Sequence, residues 1–295
     1  MIHVPEQLAA SQEQFNGEEG RAFVARLPDL AAAFLDRWEL RPDGPSMYGV
    51  CALVLPVLRA GGTRAVLKLQ LPDEETEGEP VALRAWDGDG AVRILDHDPD
   101  TGTMLLERLD PARMLSHVAD SREAVLVIAR LLAHLTARPA PPELRRLGAL
   151  APAMLERTRR ALERVPDPEP RRLLADCAAA LREVADEPGD RLLHWDLHYD
   201  NVLAADRADW LAIDPKPLAG DPGFDLFPAL ANRFDPDEIH WRFDALTDTL
   251  TLDRPRARAW TLARVLQTCL WNLEDDRPLR EDHLEIARRV REARG

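Results

Sequence analysis

The chain has 295 residues, 45% of them hydrophobic, and a formal net charge of −14. That length suits one large domain or two lobes with a substantial core, and the acidic balance argues against a nucleic-acid backbone as partner. No uncharged apolar run reaches the ~18 residues of a membrane span, and the polar start, MIHVPEQLAASQEQFNGEEG, lacks the basic and apolar regions of a secretory signal, so a cytoplasmic protein with no membrane partner is expected.

Residues 20–36 carry apolar groups at helical spacing and predict one or two short helices. WELRPDGPSMYGV then reads as a short strand and a loop. CALVLPVLRAGGTRAVLKLQL reads as two antiparallel strands about a Gly61-Gly62 turn. The acidic run DEETEGEP leads into VALRAWDG, which has helical spacing. Residues 91–111 predict a second hairpin turning at 98–102. After Pro111 the pattern changes. SREAVLVIARLLAHLTA is an amphipathic helix, and residues 142–186 predict two or three more, punctuated by the proline-rich stretches 139–143 and 166–170. RLLHWDLHYDNVLAADRADWLAIDPKPL breaks the helical pattern into short strands and loops, and residues 223–293 return to helix. The fold class is therefore α+β: a sheet-rich lobe over 1–108 and a larger helical lobe over 109–295.

The charge is unevenly placed. Residues 73–110 hold 12 acids against 3 bases, and residues 186–225 hold 10 against 3. Facing one cleft, these would concentrate cations. The 38 basic residues include just two lysines, Lys68 and Lys216, which suggests positions where a compact ammonium suits and a broad guanidinium does not. Cys51, Cys177 and Cys269 are far apart and match no metal-ligand or disulfide pattern.

Chemistry concentrates at His194-Trp195-Asp196-Leu197-His198-Tyr199-Asp200-Asn201, with Asp214 following in LAIDPKP. Phosphoryl transfer to an alcohol needs a carboxylate by the attacking hydroxyl, oxygen ligands for Mg²⁺ and a cation on the phosphate tail. Asp196 and Asn201 flank a tight loop, and the hairpin that follows, NVLAA to WLAID, returns Asp214 beside Asn201. Lys68 lies in an apolar strand upstream, with acids just after it.

Together these residues resemble the aminoglycoside phosphotransferase family, relatives of the protein kinases, over nearly the whole chain. The matching stretches are GEEGRAFVARLP, LVLPVLRAGGTRAVLKLQLP, VRILDHD, TMLLERLD, GDRLLHWDLHYDNVLAA, WLAIDPKPLAGDPGFDL and WTLARVLQ. The resemblance implies a two-lobed protein-kinase-like fold, ATP and Mg²⁺ as cofactors, and phosphorylation of a hydroxyl on a small cationic acceptor of streptomycin type, inactivating an antibiotic. It implies that Asp196 is the catalytic base, that Asn201 and Asp214 are the metal ligands, and that Lys68 contacts the phosphates. Glu79 is its expected partner, with Glu75 as an alternative because Pro80 directly follows Glu79. Glu107 to Leu109 would form the adenine-binding hinge. With no Gly-x-Gly-x-x-Gly present, Ser46 and the backbone through Gly49 would cover the phosphates. His194 would brace the loop, and Asp221 and Asp225 would anchor it. Lys216 would either neutralise phosphate charge or pair with an acid. For the acceptor, Asp200, Glu274, Asp275, Asp276 and Trp271 are candidates. The expected assembly is a monomer or homodimer.

Two rival readings remain at this point. One is a kinase of the same fold acting on hydroxyurea or another small metabolite. The other is a nucleotide-binding pseudokinase, against which the joint presence of Lys68, Asp196, Asn201 and Asp214 weighs.

Overall fold

The computed structural model describes residues 2–292. They form two compact units that divide between Asp110 and Pro111, two residues past the expected join.

The first unit is built on an antiparallel sheet. Its strands are β1 (Arg41–Pro42), β2 (Met47–Tyr48), β3 (Ala52–Leu58), β4 (Arg64–Gln70), β5 (Ile94–Asp98) and β6 (Thr103–Glu107). The order is β1-β3-β4-β6-β5, with β2 also on β3. Side chains alternate across a strand, and β4 uses this fully. Ala65, Leu67 and Leu69 are buried on one face, where they meet Leu53, Leu55, Val57 and the long helix α1 (Glu6–Arg37) through Phe23, Leu27, Ala31 and Phe34. Lys68 and Gln70 alternate with them, and both side chains bond to Glu79, the first residue of α2 (Glu79–Trp86).

Helix α2 starts where its sequence permits. Pro80 occupies the first turn, where a missing N–H costs nothing. Asp73 organises the preceding turn, its carboxylate accepting from the N–H groups of Glu75 and Thr76 at 2.8 Å each.

The second unit is mainly helical: α3 (Ser121–Leu135), α4 (Leu147–Glu163), α5 (Pro168–Val184), α6 (Phe227–Ala231), α7 (Ile239–Thr249), α8 (Arg254–Glu274) and α9 (Glu281–Glu292). Helix α8 is mostly buried from Ala257 to Leu273, on more than one face. Two small sheets complete the unit. Strand β8 (Arg191–Leu193) pairs antiparallel with β11 (Leu218–Gly220). The hairpin β9 (Val202–Ala205) and β10 (Ala208–Ala212) is joined by β7 (Asp110–Met114).

Two elements depart from the sequence expectation. Helix α1 begins at Glu6, well before residue 20, because a polar stretch with few apolar residues gives no periodic signal. Strand β7 is mostly exposed and carries a proline at its start, so DPARM reads as loop.

Candidate active site

The loop from His194 to Asn201 leaves β8 and ends in a single 3₁₀ turn, Tyr199–Asn201. Its shape is held from several directions. Asp225, fully buried, accepts the N–H of His194 at 2.8 Å on one carboxylate oxygen and that of Trp195 at 2.5 Å on the other. Burial pushes the Asp225 carboxyl up to about 7, against the lowering effect of those two donors and of the Arg264 charge. His194 is also fully buried. Its Nε2 lies 3.0 Å from the carbonyl oxygen of Ile213, and its Nδ1 accepts from the N–H of Asp196 at 3.3 Å. Burial lowers its pKa to about 4, so the ring is neutral and can both donate and accept. It braces the loop, as the resemblance implied.

Trp195 takes a left-handed backbone conformation, φ +66°, a costly choice for a bulky residue. The conformation turns its indole into the helical core, where it stacks on Trp271 at 6.1 Å and meets the guanidinium of Arg145 at 4.9 Å. Arg264 also lies against it and against Phe224, Phe227 and Trp271. The Asp225 bonds and this cation–aromatic cluster offset the strain. Arg264, a guanidinium on an apolar helix, was the sequence signal for this support and was not read.

Asp196 is thereby presented partly to solvent, with the Lys216 ammonium 3.5 Å from its carboxylate. The Asn201 amide nitrogen donates to the Asp196 carbonyl at 2.9 Å, so the amide oxygen is the end of this side chain able to accept or to ligate. The β9–β10 hairpin brings the chain back as its strand lengths suggested. The Ile213 N–H donates to the Asn201 carbonyl at 2.9 Å, and Asp214 follows with φ +57°. Asn201 and Asp214 are hard oxygen donors, the type that holds Mg²⁺ alongside phosphate oxygens and water. Among the described residues no group of three or more His, Cys, Asp or Glu comes together as a metal site.

In the first unit, Lys68 Nζ meets both Glu79 oxygens at 2.8 and 2.7 Å, both side chains being buried. The pair is Lys68–Glu79. Glu107 sits at the end of β6, where its N–H donates to the Arg93 carbonyl and its carboxylate accepts the Arg93 N–H. Leu109 follows, buried. Ser46 lies just before β2, whereas the turn of the β2–β3 hairpin is at 49–51, three residues further on.

The acceptor candidates are scattered in their contacts. Asp200 is exposed beside His198. Glu274 pairs with Arg157 at 3.2 Å, Asp276 with Arg164, and Asp275 with Arg277. The three acids at the end of α8 are thus compensated by arginines. Trp271 packs on Trp195. Asp221, expected to anchor the His194–Asn201 loop, bonds elsewhere: it caps its own turn through the Gly223 N–H and pairs with Arg256 at 2.7 Å.

The sheet-rich and helical units match solved kinases. A choline/ethanolamine kinase family protein of Mesorhizobium loti superposes with a TM-score of 0.61 at 18% identity, over 90% of this chain and 92% of that one. The fold is that of the protein-kinase-like small-molecule phosphotransferases. The chain belongs to the aminoglycoside/hydroxyurea antibiotic resistance kinase family, whose model matches residues 37–276. It is 60% identical to a hydroxyurea phosphotransferase of Kitasatospora aureofaciens over 93% of this chain and 82% of that protein. It is 56% identical to a streptomycin 6-kinase of Streptomyces glaucescens over 93% and 92%. This chain is an enzyme, a phosphotransferase.

Proposed function

We propose that the enzyme transfers the γ-phosphate of ATP to a hydroxyl of a streptomycin-type aminoglycoside in the cytoplasm, using Mg²⁺. The observation that carries this reading is the braced loop of the second unit, which presents Asp196 beside Asn201 and the Asp214 turn. Asp196 orients the acceptor hydroxyl and takes its proton as the oxygen attacks phosphorus; ADP leaves. For a loose transition state most of the benefit is positioning, and the fixed backbone around Asp196 suits that role. Asn201 and Asp214 would hold Mg²⁺, which would supply charge neutralisation on the phosphates. Lys68, oriented by Glu79, contacts the phosphates. The backbone of the β2–β3 hairpin, with Ser46 at its base, covers them, and backbone groups of Glu107 to Leu109 receive adenine.

A specific observation favours a second acceptor. The acids at the end of α8 already hold Arg157, Arg164 and Arg277, so they add little net charge for a dicationic ligand, and a neutral acceptor such as hydroxyurea needs none. The deciding experiment measures ADP release with Mg²⁺ and streptomycin, other aminoglycosides, hydroxyurea or simple sugars. Turnover with streptomycin is expected. Turnover with hydroxyurea alone selects the second reading. No turnover with any acceptor contradicts both.

A further inference from the structure

The N-terminal segment lies ahead of the region matched by the family model, yet it reaches the β2–β3 hairpin. Helix α1 is not one rod. At Gly17 the backbone leaves helical geometry, with φ +55° and ψ −126°. In a straight helix, residues eight apart would be about 12 Å apart along the axis. Instead Arg21 Nη1 meets Glu13 Oε1 at 2.8 Å. A Cβ on Gly20 would come within 2.1 Å of the Gln12 carbonyl oxygen. Residues 6–16 therefore fold back against residues 18–37, with Gly17 making the turn and Gly20 permitting the contact.

Leu8 and Gln12, one turn apart, are both fully buried. Leu8 joins the sheet core. An amide at the neighbouring position is costly unless hydrogen-bonded. Gln12 Nε2 donates to the Cys51 carbonyl at 2.7 Å, and Gln12 Oε1 accepts from Asn16 Nδ2 at 2.7 Å. Asn16 thus fixes which end of the amide faces the hairpin. Cys51 belongs to the turn closed by the Gly49 N–H on the Ala52 carbonyl, below the exposed Tyr48 and Val50.

We infer that Gln12 is a positioning residue for nucleotide binding: it tethers the hairpin tip so that its backbone N–H groups are preset for phosphate. The inference rests on the proposed phosphate-covering role of that hairpin. A flexible tip would have to be ordered when ATP binds, at a cost in affinity, and a buried tether from a packed helix removes that cost.

The test uses the full-length enzyme and two variants. Gln12→Leu fills the same place in the core with an apolar side chain and removes the donor. Asn16→Ala leaves Gln12 in place but unorients it. Amide exchange over 47–54, direct ATP–Mg²⁺ titration without acceptor, and the KM values of ATP and acceptor are compared with wild type. Loss of one buried hydrogen bond is expected to raise exchange at 49–52 and weaken ATP binding about tenfold in Gln12→Leu. The change in Asn16→Ala should have the same sign and be smaller, with the acceptor KM unchanged in both. Wild-type exchange and ATP affinity in both variants would overturn the inference. So would a parallel weakening of ATP and acceptor, the mark of a merely structural residue. A wild type that binds no ATP overturns the phosphate-covering reading itself, and the tether's role with it.

Discussion

Lys216 has a compact ammonium 3.5 Å from the Asp196 carboxylate, in a chain that otherwise uses arginine for all its basic side chains but Lys68. Each lysine pairs with an acid given a role above, Lys68 with Glu79 and Lys216 with Asp196. A charge so close to the proposed base can offset the negative charge of a transferring phosphoryl group, an electrostatic contribution that often amounts to about 10²–10³ in rate. Lys216→Ala should therefore lower kcat by about 10²-fold while the affinity for ATP stays close to wild type, as read by steady-state kinetics and direct titration. An unchanged kcat would show that Lys216 merely pairs with an acid. At this scale much was legible, because Asp196, Asn201 and Asp214 are positioned by local chain geometry: a tight loop and a short hairpin. What was not legible depended on contacts far along the chain. Nothing in the sequence says that Glu274 and Asp276 meet Arg157 on α4 and Arg164 just past its end, more than 100 residues away, or that Trp195 turns inward against Arg145 and Arg264.

Elements with strong periodicity could be read directly. The alternation in β4 announced its two faces, and α3 announced its buried stripe. Residues 6–16 and β7 could not be read, since their burial or pairing comes from partners elsewhere. The same is true of helix docking. His283 on α9 is buried edge-on against Phe227, and burial lowers its pKa to about 4. The unfolded chain protonates such a ring near its ordinary value of 6.5, so between pH 6.5 and 4 the unfolded state binds the extra proton. Stability from this group is present above 6.5 and is lost as pH falls towards 4. His194 acts in the same direction; Asp225, raised to about 7, acts in the opposite one. His283→Gln should flatten the acid side of the stability–pH curve, by on the order of 2 kcal/mol between pH 6.5 and 4. Denaturant unfolding across that range checks this, and an unaltered slope would contradict it.

For the molecule as a whole, the two acidic stretches seen in the sequence are partly compensated by bases from outside them. Asp98 pairs with Arg37, Glu79 with Lys68, and Glu187 and Asp221 with Arg256. Net charge read along a chain overstates the field when long-range arginines compensate it, so the acceptor was the least legible property. Fold class and reaction class were legible because several motifs, spread over both units, agree with one architecture. The most direct test of the central claim is Asp196→Ala, measured for ATP binding and for acceptor-dependent ADP release. The account predicts near-wild-type ATP affinity with turnover reduced by about 10²–10⁴. Turnover retained in that variant, or ATP binding lost with it, would contradict the assignment of this loop as the phosphotransfer centre.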